Sequence, residues 1–195
     1  MSFPITGDPE ADRLLVEDPL ALLIGMLLDQ QVPMEWAFRG PLSLRERLGG
    51  LDAAAIAGMT DDEIEAVFRT KPALHRYPGS MAKRTRALCV HLVDGYDGNA
   101  AAIWEGVDDP AEIHRRLRAL PGYGEDKAAI MLAILGKRLG RAPAGWEAYA
   151  GRFGDDEPRS AADVDSREAL ERVRAFKKDQ KQAAKAAKEA QAADA

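Results

Sequence analysis

The chain has 195 residues, one cysteine and three histidines; it is 46% hydrophobic, 30% charged and carries a net charge of −5. Such a composition suits a globular protein with a sizeable core, and a lone cysteine excludes an internal disulfide and a four-cysteine zinc or iron–sulfur site. No apolar run reaches the roughly eighteen residues of a membrane span, the start MSFPITGDPEADR has no apolar signal core, and a cytoplasmic chain is expected.

Helix signals come first in the chain and dominate it. In EDPLALLIGMLLDQQV, Asp18 is a natural N-cap and Pro19 sits at the first helical position, where its missing N–H is no loss. TDDEIEAVF forms a capping box, with Thr60 answered by Glu63 three residues on. SMAKRTRALCVHLVDGYDG predicts a helix from Ser80 to a stop at Gly95. The Asp-Pro start recurs at Asp109 and Pro110, and that helix runs to about Ala119. A second helix starts near Glu125 and reads AAIMLAIL, apolar nearly all round, so it is expected to be buried on most faces. Strand-like alternation is scarce and the loops are short. The fold class is all-α, with residues 1–155 as one helical domain and 156–166 as a polar linker. Residues 167–195 make a C-terminal helix, docked over Glu168 to Phe176 and frayed at its Lys/Ala-rich end. From Arg172 onward that end has seven Lys/Arg against three Asp/Glu, so the rest of the chain is more acidic still. An acidic balance argues mildly against nucleic acid; the tail lysines read as a loose arm for DNA phosphates or, more simply, as a solubilising tail.

Between the two later helices stands LPGYGEDKA. A connection this short makes them an αα-hairpin. Gly122 and Gly124 let the backbone take unusual φ and admit an oxygen closely. The first N–H groups of the second helix have no partner inside it and point outward, and Lys127 can add a charge. A phosphate fits that arrangement; so does a plain helix C-terminus at Gly122, and Glu125 and Asp126 suit any helix start.

LPGYGEDKA resembles the Leu-Pro-Gly-x-Gly core of the helix–hairpin–helix DNA-binding motif. Its setting resembles the HhH-GPD superfamily of base-excision DNA glycosylases. LLIGMLLDQQVP (22–33) is similar to that family's early helix and glutamine-bearing loop, and SMAKRTRAL (80–88) to the segment leading the helix before the hairpin. Three features in family order cover roughly residues 20 to 150. The resemblance implies a compact multi-helix fold with a cleft between helical subdomains, and a monomer on damaged or distorted double-stranded DNA. Leu120, Pro121, Gly122, Tyr123, Gly124 and Lys127 would hold a phosphate. The carbonyls of Leu120, Gly122 and Gly124 would take a monovalent cation as the one cofactor. Gln31, with Gln30 beside it, would wedge into the duplex.

The family's catalytic aspartate lies in the loop after the second hairpin helix. Here that loop reads GKRLGRAPAGWEAYAG, with no Asp between Lys127 and Gly154. Glu147 is its carboxylate and the first candidate for the catalytic role, with Asp126 second; Trp146 would line a base pocket. The lysine nucleophile of strand-cutting relatives would fall at Asp126. Lys127 is one residue later and about 100° round the helix, so lyase activity is not expected. The resemblance therefore implies a monofunctional glycosylase that flips a damaged base and hydrolyses its N-glycosidic bond. The alternatives are a non-catalytic DNA-binding protein of the same fold and an all-α interaction protein.

Overall fold

A computed structural model describes residues 3–193. The described residues form ten α-helices and no strand: α1 (Pro9–Glu17), α2 (Pro19–Leu28), α3 (Met34–Leu48), α4 (Ala53–Gly58), α5 (Asp61–Arg69), α6 (Pro78–Tyr96), α7 (Pro110–Ala119), α8 (Glu125–Lys137), α9 (Trp146–Ala150) and α10 (Arg167–Ala193). The all-α expectation is met.

Asp-Pro starts set three of these helices. The carboxylates of Asp8, Asp18 and Asp109 accept from the first free N–H groups of α1, α2 and α7, each with proline at the opening position. The Thr60–Glu63 capping box of α5 forms as the sequence predicts. α6 differs: it starts at Pro78 and runs past Gly95 to Tyr96. Asp97 there takes a left-handed φ of 52°, and the Gly98 N–H donates to the Leu92 carbonyl, ending the helix one turn-motif later.

α2 is the spine. Every residue from Leu20 to Leu28 is buried, and the helix packs on α1, α3, α6 and α8. α4, α5 and α6 pack together on one side, and α7, α8 and α9 on another. α8 buries Ala128, Ala129 and Met131 through Leu135, as its all-round apolar sequence requires.

The stretch expected as a polar linker is built into the core. Ser160, Ala161, Ala162 and Val164 are buried, and the short 3-10 turn Ala161–Asp163 packs on α8. Lys137 reaches Asp163 at 2.6 Å, with both side chains nearly enclosed. Small side chains make the segment look like a linker, yet small side chains are what let it lie close against a helix. α10 docks through Ala169, Leu170 and Val173 and continues as helix to Ala193, exposed from Lys177 to Ala187. Its Ala/Lys/Gln/Glu content favours helix where fraying was expected; Asp194 and Ala195 lie outside the described residues.

Candidate functional site

The 120–124 connection is a type II turn with Pro121 and Gly122 at its centre. The Tyr123 N–H donates to the Leu120 carbonyl at 3.0 Å, and Gly122 takes φ +83°. A Cβ on Gly122 would lie 2.4 Å from Leu27 Cδ1, so glycine is demanded twice here, by φ and by the approach of α2. Gly124 is different. Its φ is −103° and a Cβ would meet nothing within 4 Å, so neither conformation nor packing requires glycine. What remains is open space above the start of α8, where Gly124 offers no side-chain cap to the first N–H groups.

The turn is pinned down from below. Tyr123 is buried, its hydroxyl donating to the Leu23 carbonyl at 2.7 Å, and burial pushes its pKa well up. Leu120 is buried too. Of the residues expected to grip phosphate, these two face inward with their side chains, leaving the turn's backbone for the outside.

Lys127 also turns inward. Its ammonium donates to the carbonyls of Met26 at 2.5 Å, Leu27 at 2.7 Å and Asp29 at 3.3 Å. These are carbonyls of the last turn of α2 and of its C-cap Asp29, so Lys127 caps α2 from α8. Its charge is therefore directed at α2 and not presented at the surface, which departs from the expected phosphate contact. Burial pushes its pKa down to about 8, with nearby Arg84 acting in the same direction and Asp29 opposing.

The acids at the start of α8 are held aside by arginines. Glu125 pairs with Arg118 at 2.9 Å, and Asp126 with Arg152 at 2.9 Å. Both pairs are exposed and hence weak, but they blunt the repulsion a phosphate would meet.

The glutamine turn lies against the hairpin. Gln30 Nε2 donates to the Leu27 carbonyl at 2.9 Å, and Arg84 of α6 donates to Gln30 Oε1 at 3.0 Å. Arg84 Cδ is in turn 3.8 Å from the position of a Gly122 Cβ. Gln31 is exposed and holds φ +57°, a left-handed conformation that a glutamine rarely adopts. The carbonyl of Gln30 lies 3.0 Å from Nε2 of buried His75, whose pKa burial lowers. On either side of that histidine ring stand Trp36 and Tyr77, at centroid distances of 6.5 and 6.1 Å; each is 42% exposed. Two partly exposed aromatic rings, one of them with the Arg76 guanidinium 5.4 Å over it, and the cation Arg84 thus stand near the Gln30–Gln31 turn, a mixture that suits stacked bases and phosphates. Sequence reasoning missed Trp36 and Tyr77, because single aromatics outside a pattern read as core.

The two expected carboxylates stand in water. Glu147 is exposed in the first turn of the five-residue α9, and no ion pair or hydrogen bond of its side chain occurs among the described residues. Trp146 beside it lies on α8: a Cβ on Gly136 would be 2.2 Å from its Cε2. The indole is a cover for the helix, which accounts for a glycine in an otherwise apolar run. A third carboxylate went unremarked in the sequence. Asp29, the C-cap of α2, has its pKa raised by burial, against the opposing charges of Lys177 and Lys127.

No group of three or more His, Cys, Asp or Glu residues able to hold a metal ion occurs among the described residues. In the hairpin, the Leu120 and Gly124 carbonyls each accept one N–H, from Tyr123 and Ala128, and each keeps a lone pair. No described helix is long and apolar enough to cross a membrane.

Three segments far apart in sequence (22–33, 80–88 and 120–128) thus meet at one place. The profile of one family, described as HhH-GPD superfamily base excision DNA repair protein, matches residues 24–192, which takes in all of these segments except residues 22 and 23. No curated protein and no solved structure matches the chain.

Proposed function

Since the chain belongs to the HhH-GPD superfamily of base excision DNA repair proteins, we propose that it is a monofunctional DNA N-glycosylase. It would bind duplex DNA at the hairpin, extrude a damaged nucleotide and hydrolyse the bond between sugar and base. The observation that carries this reading is the junction of hairpin and glutamine turn. Tyr123 fastens the backbone that would hold a phosphate to the middle of α2, and Lys127 fastens it to the end of α2, which leads into Gln31.

Each part has a physical task. The outward N–H groups at the start of α8 and the backbone of Gly122 and Gly124 would hold a phosphate. The Leu120, Gly122 and Gly124 carbonyls would hold a monovalent cation, which would supply positive charge favourable to a phosphate. Gln31 would fill the gap left by the extruded nucleotide, with its side chain aimed by a strained backbone. Trp36 and Tyr77 supply stacking surfaces beside it. The reaction itself calls for a carboxylate to stabilise the positive charge that develops on the sugar. Asp126 and Glu147 are the candidates from sequence, and Asp29 joins them.

Lyase chemistry needs a free amine as nucleophile. At the hairpin Asp126 occupies the place, and the Lys127 amine is engaged by three carbonyls. Borohydride should therefore trap no covalent adduct on DNA.

The test is a panel of duplexes carrying deaminated, oxidised and alkylated bases, treated with the protein and then with hot alkali. Cleavage at one lesion is the expected result; a panel left wholly intact overturns the glycosylase reading. The absence of Asp between Lys127 and Gly154 favours one alternative, a protein of this fold that binds distorted duplex without cutting it. That protein would bind the panel in a salt-dependent manner and leave every base in place.

A further inference from the structure

We propose that Asp29 is the carboxylate that faces the sugar of the extruded nucleotide and stabilises its positive charge, an inference that rests on the glycosylase reading above. Four observations place it there. Asp29 directly precedes Gln30 and Gln31, so it sits at the base of the turn that would enter the duplex. Its backbone carbonyl is 3.3 Å from the ammonium of Lys127, three residues beyond Gly124, so it also lies against the start of the second hairpin helix. The residue is half-buried and not sealed, so its side chain is shielded from bulk water while a path to it stays open. Finally, among the described residues no hydrogen bond or salt bridge reaches its carboxylate oxygens.

An unpartnered carboxylate in a shielded position is costly to keep ionised. The three residues before it at the end of α2 are Met26, Leu27 and Leu28, so the acid closes an apolar run. Two cations face it from separate elements, Lys127 of α8 and Lys177 of α10, and both favour its ionised form without closing a salt bridge on it. Lys127 is committed to three carbonyls. Lys177 donates to the thioether of Met34 at 3.3 Å, a weak acceptor that leaves its charge in reserve. The remaining polar neighbours of the turn, His75 and Arg84, are engaged with Gln30. The charge at Asp29 is thus held by surrounding fields and not consumed by a bond, the condition under which it can act on a cation arriving with the DNA. Glu147 and Asp126 lack this condition, because exposed charges act through the high dielectric of water.

In the reaction the C1′–N bond breaks and its electron pair leaves with the base, which takes up a proton. A water molecule adds its oxygen to C1′ and gives up one proton, so the net change is addition of water across that bond. Asp29 forms no bond; its negative charge opposes the positive charge on the sugar ring while C1′ is without a full partner.

The test avoids the need to know the lesion. Two duplexes are compared, one with a cationic pyrrolidine in place of the sugar and one with a neutral tetrahydrofuran. The protein is expected to bind the pyrrolidine duplex roughly tenfold or more tightly. Asp29→Asn should remove that preference while binding the neutral duplex as before, and Glu147→Gln should keep it. As pH falls and Asp29 gains a proton the preference should fade. Lys177→Met should move that fading to higher pH, because Lys177 favours the ionised carboxylate. Equal binding of both duplexes by the unaltered protein overturns the inference alone, as does a preference that survives Asp29→Asn or disappears in Glu147→Gln. Failure to bind either duplex removes the glycosylase reading and this inference with it.

Discussion

The Asp29–Gln31 turn and the Pro143–Glu147 loop each contain a carboxylate beside the hairpin helices, and they are built in opposite ways. The first closes a wholly buried helix, is capped by a lysine from α8 and carries a residue at φ +57°. The second opens a five-residue helix at the surface, and its glutamate side chain makes no hydrogen bond or ion pair among the described residues while the neighbouring tryptophan packs away on Gly136. A group in water is cheap to keep and weak at a distance; one in a shielded, supported turn is costly to keep and strong. Proteins hold the second kind where the charge has work to do.

Four substitutions would break or sharpen that contrast. Gly122→Val should have the largest effect, since the new side chain meets Leu27 in a backbone conformation valine avoids. A loss of roughly 2–5 kcal/mol in urea unfolding, together with lost duplex binding, is expected; a fully stable variant would show that the turn is not fastened to α2. Next comes Lys127→Met, which strips donors from the carbonyls of Met26, Leu27 and Asp29. It should cost about 1–3 kcal/mol by the same measurement, and a neutral result would break the claim that α8 supports the turn.

Asp29→Asn should run the other way. Its pKa is raised in the folded state, so the fold binds the extra proton more tightly than the unfolded chain does. The stability linked to that proton is present below the ordinary aspartate value and is lost as pH rises through the raised one. Melting curves from acidic to neutral pH should therefore show Asp29→Asn gaining on the unaltered protein across that window. A variant that is less stable at neutral pH would make Asp29 a structural residue. Last, Glu147→Gln should stay within about 0.5 kcal/mol, as surface changes do; a larger loss would mean that the second loop is better supported than its exposure suggests.

Much of this was legible in the sequence, for local reasons. Asp-Pro pairs and the Thr60–Glu63 box announce helix starts by chemistry confined to four residues. Leu-Pro-Gly-Tyr announces a tight turn, and the chain order of three motifs announced the family. Orientation was not legible. Whether Lys127 points out at a phosphate or in at α2 depends on how two helices distant in sequence are rotated against each other, and no local pattern fixes that. Asp29 was hidden for the same reason: an acid after a leucine run reads as an ordinary helix end until Lys177 is brought back beside it by the fold. The 156–166 stretch misled through composition, because buried Ala161, Ala162 and Val164 look like a spacer when their neighbours are Asp, Glu and Ser.

The three bonds from Lys127 have a mechanical consequence. They tie the hairpin to the glutamine turn through a single short lever, and Tyr123 adds a second tie to Leu23. A swing of either part would have to break these bonds, which couple the element that would hold a strand to the element that would part it. On the proposed function, selectivity would come from the duplex. A strand that bends readily at a weakened base pair would satisfy both contacts at once, and a stiff, intact one would not.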